Sequence, residues 1–309
     1  MPSSTTTLTN LMPILYDTKF LERAKNMLCY DYGADRKNMP QNSGKTVFFN
    51  RFSPLAIITT SLTECENPEA LDMTSTIVSA TIAEYGRYVK ACSLFTLTSI
   101  DENLLEHIDV IGQNAGETID TLLRNTMVAG STAQLANGKA TLTAVAATDT
   151  ITGAEIRKAV RTLCKNKAYR FADGFFRAII TCDAVYDLRG NSEWLDAFRY
   201  TDATPIRNGE VGTLHGVKFC ETNNPAVQVG SGASSADIYS TFVFGAHSYA
   251  MINLDGQPGT RVIVKQSGSE DTSNPLNMFG TVGWKASLCF CRTKQCMDCS
   301  NPKWSYCLN

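Results

Sequence analysis

Two strand-like runs stand out because nothing beside them in the chain offers them a partner. The first is Lys45-Thr46-Val47-Phe48-Phe49-Asn50-Arg51-Phe52, and the second runs from Thr74 to Tyr88. Both are rich in β-branched and aromatic residues, the types that fit a pleated sheet. The segment joining them, Leu62-Thr63-Glu64-Cys65-Glu66-Asn67-Pro68-Glu69, is polar and broken by proline. The whole stretch from Gly44 to Lys90 therefore predicts a long two-stranded arm. A hairpin on its own is marginal in water, so such an arm needs a surface to lie on. Phe48, Phe49, Phe52, Ile77 and Ile82 are the candidates for that contact, part of it with a neighbouring copy of the chain. This need points to assembly more than to catalysis.

A chain of 309 residues holds one large domain or two smaller ones. Lys plus Arg number 28 and Asp plus Glu 30, a net charge of −2. A dedicated DNA-binding protein carries a basic excess, so that class is disfavoured, although a surface that merely faces nucleic acid is not. No apolar run is long enough for a transmembrane helix, and no membrane partner is expected. The opening Met1-Pro2-Ser3-Ser4-Thr5-Thr6-Thr7 lacks the basic and apolar regions of a signal peptide, so synthesis in the cytoplasm is expected.

The remaining pattern is mixed. Residues 1–15 read as an extended arm and Asp17 to Met27 as a helix. Asp101 to Val128 carries Leu104, Ile108, Ile111, Ala115, Ile119 and Leu122 at steps of 4, 3, 4, 4 and 3, a helical period. Gly112 and Gly116 share a face of that helix and would permit close backbone approach. Ser131 to Thr150 reads as a flexible excursion or as a hairpin turning at Asn137-Gly138. Thr152 is expected to cap a helix from Gly153 to Asn166, with Ile156, Val160 and Leu163 as its buried stripe. A strand from Phe175 to Cys182 follows. Helical turns are expected over Asp183 to Arg189 and Ser192 to Phe198. Glu210 to Glu221 is a strand–turn–strand unit, and Gly230 to Ser235 reads as a mobile loop. Ile238 to Leu254 and Arg261 to Gln266 are strands around a turn at Asp255-Gly256, and Thr281 to Arg292 is a final strand. The class is α+β.

Chemistry is sparse. His107, His215 and His247 sit in unlike contexts without a nucleophile elbow or a His-Glu-x-x-His motif. Gly230-Ser231-Gly232-Ala233-Ser234-Ser235 lacks the lysine and following helix of a phosphate loop. Glu64, Glu66 and Glu69 lie in a polar loop and read as solvated charges or as ion-pair partners for a neighbour. No catalytic or cofactor-binding residue is identified. Six cysteines, Cys29, Cys65, Cys92, Cys164, Cys182 and Cys220, read as small buried hydrophobes. Five more crowd the last stretch: Cys289, Cys291, Cys296, Cys299 and Cys307. Cys289, Cys291, Cys296 and Cys299 could together hold zinc, since a Cys-x-x-Cys pair is a good half-site and four thiolates complete a tetrahedron. Disulfides formed in an oxidising medium, or free thiols, are the alternatives.

The order of several segments resembles a known family. Gly44 to Phe52, Leu62-Thr63-Glu64, Asn67-Pro68 and Tyr85-Gly86 are followed by Gly212 to Thr222, Tyr239 to Gly245, Asn274-Pro275-Leu276-Asn277 and Gly280-Thr281-Val282-Gly283-Trp284-Lys285-Ala286. Together they are similar to the tailed-phage major capsid proteins of the Hong Kong 97 type, and more narrowly to the branch of the podophage N-four coat protein. The resemblance spans Tyr16 to Ala286. It departs in the Cys-rich tail, where the family continues as an apolar strand.

The resemblance implies a Hong Kong 97-type fold. Residues 1–43 would be an N-terminal arm and 44–92 the extended loop lying over an adjacent subunit. Residues 93–152 would be a peripheral domain with a spine helix, and 153–269 mostly an axial domain. The chain would return to the peripheral domain over 270–292, leaving 293–309 as a tail. The implied function is a shell of pentamers and hexamers in the virion, assembled in the host cytoplasm around double-stranded DNA. Portal and possible scaffolding or decoration proteins would be its partners. The alternatives are an encapsulin-like compartment around enzyme cargo, or a soluble enzyme with an unrecognised site.

Overall fold

The computed structural model describes residues 11–292 apart from 26, 54, 60, 63, 66, 69, 95–102, 130–133, 192, 195–209, 256–258, 266–273 and 277. The frame of the molecule is its longest strand, β13 (Phe279–Cys291). Val282, Trp284, Ala286 and Leu288 alternate along it and are all apolar, so the pleat sends them to one face. That face is buried on the long helix α2 (Asn103–Val128). The Trp284 indole Nε1 donates to Asn114 Oδ1 of α2 at 3.2 Å, satisfying the one polar atom this ring buries.

Both edges of β13 are used. Strand β4 (Ala83–Cys92) pairs antiparallel with Phe279 to Leu288. Strand β12 (Thr260–Lys265) pairs with Thr281 to Ala286, and β11 (Ala250–Leu254) with Leu288 to Cys291. Each residue with two partners must hold them on opposite edges, so β11 and β12 lie one behind the other on the edge away from β4. Strand β1 (Asp35–Met39) adds in parallel outside β11. The strands expected on either side of the Asp255-Gly256 turn are present as β11 and β12, and each pairs with β13 and not with the other. The single strand expected over Ile238 to Leu254 is broken up: β9 (Ile238–Ser240), β10 (Phe242–Phe244) and β11 belong to three different sheets. The chain rejoins this frame at Ala250, ahead of the expected 270.

Helix α1 (Leu11–Lys25) crosses α2 where two glycines remove the side-chain spacer. A Cβ at Gly116 would stand 2.7 Å from the Ala24 carbonyl, and one at Gly112 3.1 Å from the Phe20 carbonyl. The close approach expected from this pair is realised. α1 starts at Leu11, inside the region expected to be extended. Pro13 does not prevent this, because the first-turn N–H groups have no helical acceptor to lose. On α2 the buried stripe continues from Ile119 to Leu123 and Met127; Leu122, expected to carry it, is only half-buried.

A second sheet has the order β10–β5–β7–β6, with β5 (Phe176–Thr181), β6 (Glu210–Leu214) and β7 (Val217–Thr222). Helices α3 (Gly153–Lys165) and α4 (Cys182–Arg189) cover one face of it. Phe176, Ala178 and Ile180 pack there with Ile156, Ala159, Leu163, Val185 and Leu188. Ile179 points the other way and joins the α2 core with Phe242 and Phe244. The sheet thus stands between the two cores. A short ribbon of β8 (Ala226–Gln228) and β9 lies beside it. Residues 134–150 hold short 3₁₀ turns and no hairpin. The Asn137-Gly138 turn is present, at φ 54° and 65°, but Asn137 is held by Asp149 and no strands flank the turn.

Asp120 of α2 ties these parts together. Its Oδ1 accepts from the backbone N–H of Cys29 and of Tyr30 at 2.8 Å each, and its Oδ2 accepts from Asn224 Nδ2 at 3.2 Å. Burial raises the pKa of this carboxyl. Asp120→Ala would leave two buried donors unpaired. It should lower the unfolding free energy by about 2–3 kcal/mol, with Asp120→Asn recovering part of the loss, as read in a urea titration.

Candidate assembly surface

The predicted arm exists, with a different end. Strand β2 (Thr46–Phe52) pairs antiparallel with β3 (Ser75–Thr81). The run expected to continue to Tyr88 divides at Ile82, whose N–H donates to the Lys45 carbonyl at 3.0 Å. Beyond it the chain becomes β4 and enters the main sheet. Residues 75–81 belong to the arm and 83–92 to the frame.

Pairing sorts the arm into two faces, because directly opposed residues project to the same side. Val47 with Ala80 and Phe49 with Val78 project inward. There Val47, Phe49 and Ala80 pack on Met39, Ala250, Ile252, Cys289 and Cys291, together with Ile82. Lys37 Nζ sits 4.9 Å from the Phe49 ring centre, a cation–π contact. Phe48, Ile77 and Phe52 project outward as one stripe and are 66%, 65% and 61% exposed. The five candidate contact residues therefore divide. Phe49 and Ile82 root the arm on its own chain, and Phe48, Phe52 and Ile77 cover nothing on it. The connecting segment adds exposed Leu55, Ile57, Ile58, Leu62, Leu71 and Met73.

The rest of the outer sheet face has the complementary character. Past the arm's base it continues over Ser287, Lys285, Gly283 and Thr281. Gly283 is flanked by Tyr88 on β4 and Ile263 on β12, both exposed. A Cβ on Gly283 would lie 2.7 Å from the Cβ of Tyr88, and one on Gly86 would lie 2.6 Å from the Trp284 carbonyl. Tyr85, Gly86, Tyr88, Ile263, Gly283 and Lys285 line an open groove of about 360 Å³. Lys90, Arg261, Lys265 and Lys285 lie along the same face, with Glu84 bound to Lys285 at 2.9 Å. The arm's connecting segment, residues 53–73, contains Glu64, Glu66, Glu69 and Asp72 and no Lys or Arg. Tyr88, Ile263 and Gly283 were not singled out from the sequence. Gly86 and Gly283 inside β-rich runs were the available signal, since glycine in a strand marks close approach.

The cysteines invert expectation. Cys65, Cys92, Cys164 and Cys182 are exposed, and Cys29 and Cys220 are half-buried. Cys289 and Cys291 are the buried pair. They share a face of β13, as expected, but that face is the apolar floor under the arm. Burial raises both thiols, that of Cys291 to about 11. Cys296 and Cys299 lie outside the described residues, and no group of three metal-ligating side chains forms among the described residues.

The other singled-out groups lie apart. His107 is on α2, His215 pairs with Glu193 at 3.1 Å in the β6–β7 turn, and His247 pairs with Asp35 at 2.6 Å before β11. The Gly230–Ser235 loop, expected to be mobile, is fastened by Ala233 N–H to the Val145 carbonyl at 2.7 Å and by Gly230 N–H to Asp237 at 2.8 Å. No described helix is long and apolar enough to cross a membrane.

No family model and no curated protein matches the sequence. Solved structures do match the fold. The capsid of Ralstonia phage GP4 superposes with a TM-score of 0.70 at 11% identity, covering 90% of this chain and 89% of that one. The capsid of cyanophage Pam1 gives 0.64 at 18% identity, covering 91% and 89%. The head structure of Helicobacter pylori bacteriophage KHP40 gives 0.63 at 12% identity, covering 88% and 87%. The chain has the α+β fold of these capsid structures, the Hong Kong 97 type expected from the sequence.

The burial pattern sets an order of thiol reactivity. A thiol reagent at neutral pH should label Cys65, Cys92 and Cys164 in the native protein, and Cys182 more slowly, because hydrogen bonding to Glu221 pushes its thiol up to about 11. Cys289 and Cys291 should react only on unfolding. Rapid native labelling of Cys291, followed by peptide mapping, would show that the floor beneath the arm is open.

Proposed function

We propose that the chain is the major capsid protein of a tailed double-stranded DNA phage, assembling with copies of itself into the icosahedral head shell. The observation that carries this reading is the arm with one rooted and one bare face. Phe49 and Ile82 fix it to its own subunit, and the Phe48–Ile77–Phe52 stripe needs a partner surface. A repeating shell supplies that partner in every copy. The fold shared with several phage heads supports the same reading.

On this reading the arm of one subunit lies along the outer sheet face of the next. Its stripe meets the Tyr88–Gly283–Ile263 groove, and its acidic segment meets Lys90, Arg261 and Lys265. α2 serves as the spine helix of the peripheral domain. The sheet of β5, β6, β7 and β10 forms the axial domain that meets its copies at pentamer and hexamer centres. Portal and scaffolding or decoration proteins complete the head, which forms in the host cytoplasm. The subunit has no catalytic role. Every solved structure compared above is a phage head, so DNA is the expected content, in preference to the enzyme cargo of an encapsulin-like compartment.

Assembly of purified protein, followed by sedimentation, tests this. The double substitution Phe48→Asp with Ile77→Asp should raise the concentration needed for assembly at least about tenfold, a change of ~1.4 kcal/mol per contact set. Its circular dichroism and thermal midpoint should stay near those of the parent, since both side chains are bare in the single subunit. Unchanged assembly of this variant would remove the arm from the interface. An unsubstituted chain that stays monomeric or dimeric in every buffer would overturn the shell reading.

A further inference from the structure

The chain is nearly neutral overall, but its charge is unevenly placed. Six of its 28 basic residues fall between Arg157 and Arg170: Arg157, Lys158, Arg161, Lys165, Lys167 and Arg170. All six are exposed. The only carboxylate in that stretch of helix, Glu155, is buried. On α3 the positions 157, 158, 161 and 165 fall within about 100° of arc at 3.6 residues per turn. Ile156, Ala159 and Leu163 face the core on the other side. Arg157, Arg161 and Lys165 repeat every about 6 Å along the axis at 1.5 Å per residue. Lys167, in the left-handed turn at φ 52°, and Arg170 extend the row beyond the helix end.

Some of these cations already have neighbours. Arg157 meets Glu193 at 3.0 Å and Lys158 meets Glu155 at 2.8 Å. Arg170 donates to the Gly174 carbonyl at 3.2 Å and lies 5.1 Å from the Phe176 ring centre. Among the described residues Arg161, Lys165 and Lys167 have no carboxylate partner. Along α3 the face lacks the feature that marks a contact between protein copies. Ala154, Thr162 and Cys164 are the uncharged residues beside the basic row there, and no large apolar side chain of α3 is exposed; Tyr169, 44% exposed between Lys167 and Arg170, is the one large ring beside the row, past the helix end. Cores of protein interfaces are depleted in lysine and enriched in aromatic residues. Nucleic-acid interfaces are polar and strongly positive.

We propose that the exposed face of α3, continued by Lys167 and Arg170, is a contact surface for the phosphate backbone of double-stranded DNA. The electrostatic argument for a polyanion stands on α3 alone; that the polyanion is duplex DNA rests on the shell reading. Contact is through charge, without base edges, so it is independent of sequence. It gives the packaged genome a defined point of contact on a protein whose total charge would not hold it.

The test uses the full chain carrying Phe48→Asp and Ile77→Asp, so that unassembled subunits present the face, with the unsubstituted chain in parallel. Binding to a random-sequence duplex is measured by fluorescence anisotropy between 50 and 200 mM salt, about the range over which phosphate contacts weaken steeply. Substituting Arg161→Gln, Lys165→Gln and Lys167→Gln should flatten the plot of log affinity against log salt by about 3, near 0.9 per lost phosphate contact. It should also weaken binding at low salt at least about tenfold. Lys19→Gln with Arg189→Gln, which removes exposed cations elsewhere, should leave the slope in place. An unchanged slope in the triple variant, or no salt-dependent binding by the parent, overturns the proposal. Loss of particle formation in the triple variant with its DNA slope unchanged also overturns it, by assigning the face to contacts between copies. Particles that form normally while the slope is unmoved would sink the DNA contact and leave the shell reading standing.

Discussion

The structure depends on a single strand whose two edges and inner face are occupied and whose outer face is covered at one end. One edge of β13 is taken by β4 and the other by β11 and β12 in line, while Val282, Trp284, Ala286 and Leu288 seat α2. On the remaining face, Cys289 and Cys291 form part of the floor on which the arm is rooted. The long helix, the arm and the strands that return from the second sheet therefore share one rigid element. Side chains pack at crystal-like density in such a frame, so a displacement of one attached part is felt by the others.

The same arrangement leaves the outer face half covered. The base of the arm shields the Cys289–Cys291 end, and the Gly283 end is open between Tyr88 and Ile263. The arm meanwhile carries its own bare stripe of Phe48, Ile77 and Phe52. These are two unsatisfied apolar surfaces on one chain that its own fold does not bring together, and on the proposed shell reading they cover each other when copies meet. On the same reading, acid on the arm's connecting segment and base on the open face would give that meeting a preferred orientation. Charge at such contacts contributes to register and specificity more than to bulk affinity.

Much of this was legible in the residues. The period along Ile108, Ile111, Ala115 and Ile119 marked α2, and the Gly112/Gly116 pair marked a face open to close approach, without naming α1 as the element that meets it. His215-Gly216 marked the β6–β7 turn, and the alternation of β-branched and aromatic residues marked the arm. The division at Ile82 was not legible, because the residues on either side are equally suited to a strand and only pairing partners distinguish arm from frame. The collinear placement of β11 and β12 depends on β13, which follows both in the chain, so nothing local to the Asp255-Gly256 turn marks it. Cysteines were misjudged because the residue type favours burial on average, whereas exposure here follows the face each strand or helix turns outward. The same holds for α3. Its basic row is visible in the sequence, but only the burial of Glu155 and the position of Ile156, Ala159 and Leu163 show that it forms one face, met by Glu193 at its Arg157 end.

The central claim is that the outward face of the arm is completed by another copy of the chain. Electron cryo-microscopy of particles assembled from the purified protein tests it directly. The account predicts closed icosahedral shells in which Phe48, Ile77 and Phe52 are buried on the Tyr88–Gly283–Ile263 groove of an adjacent subunit. Shells in which that stripe faces solvent, or particles no larger than a few subunits, would contradict it.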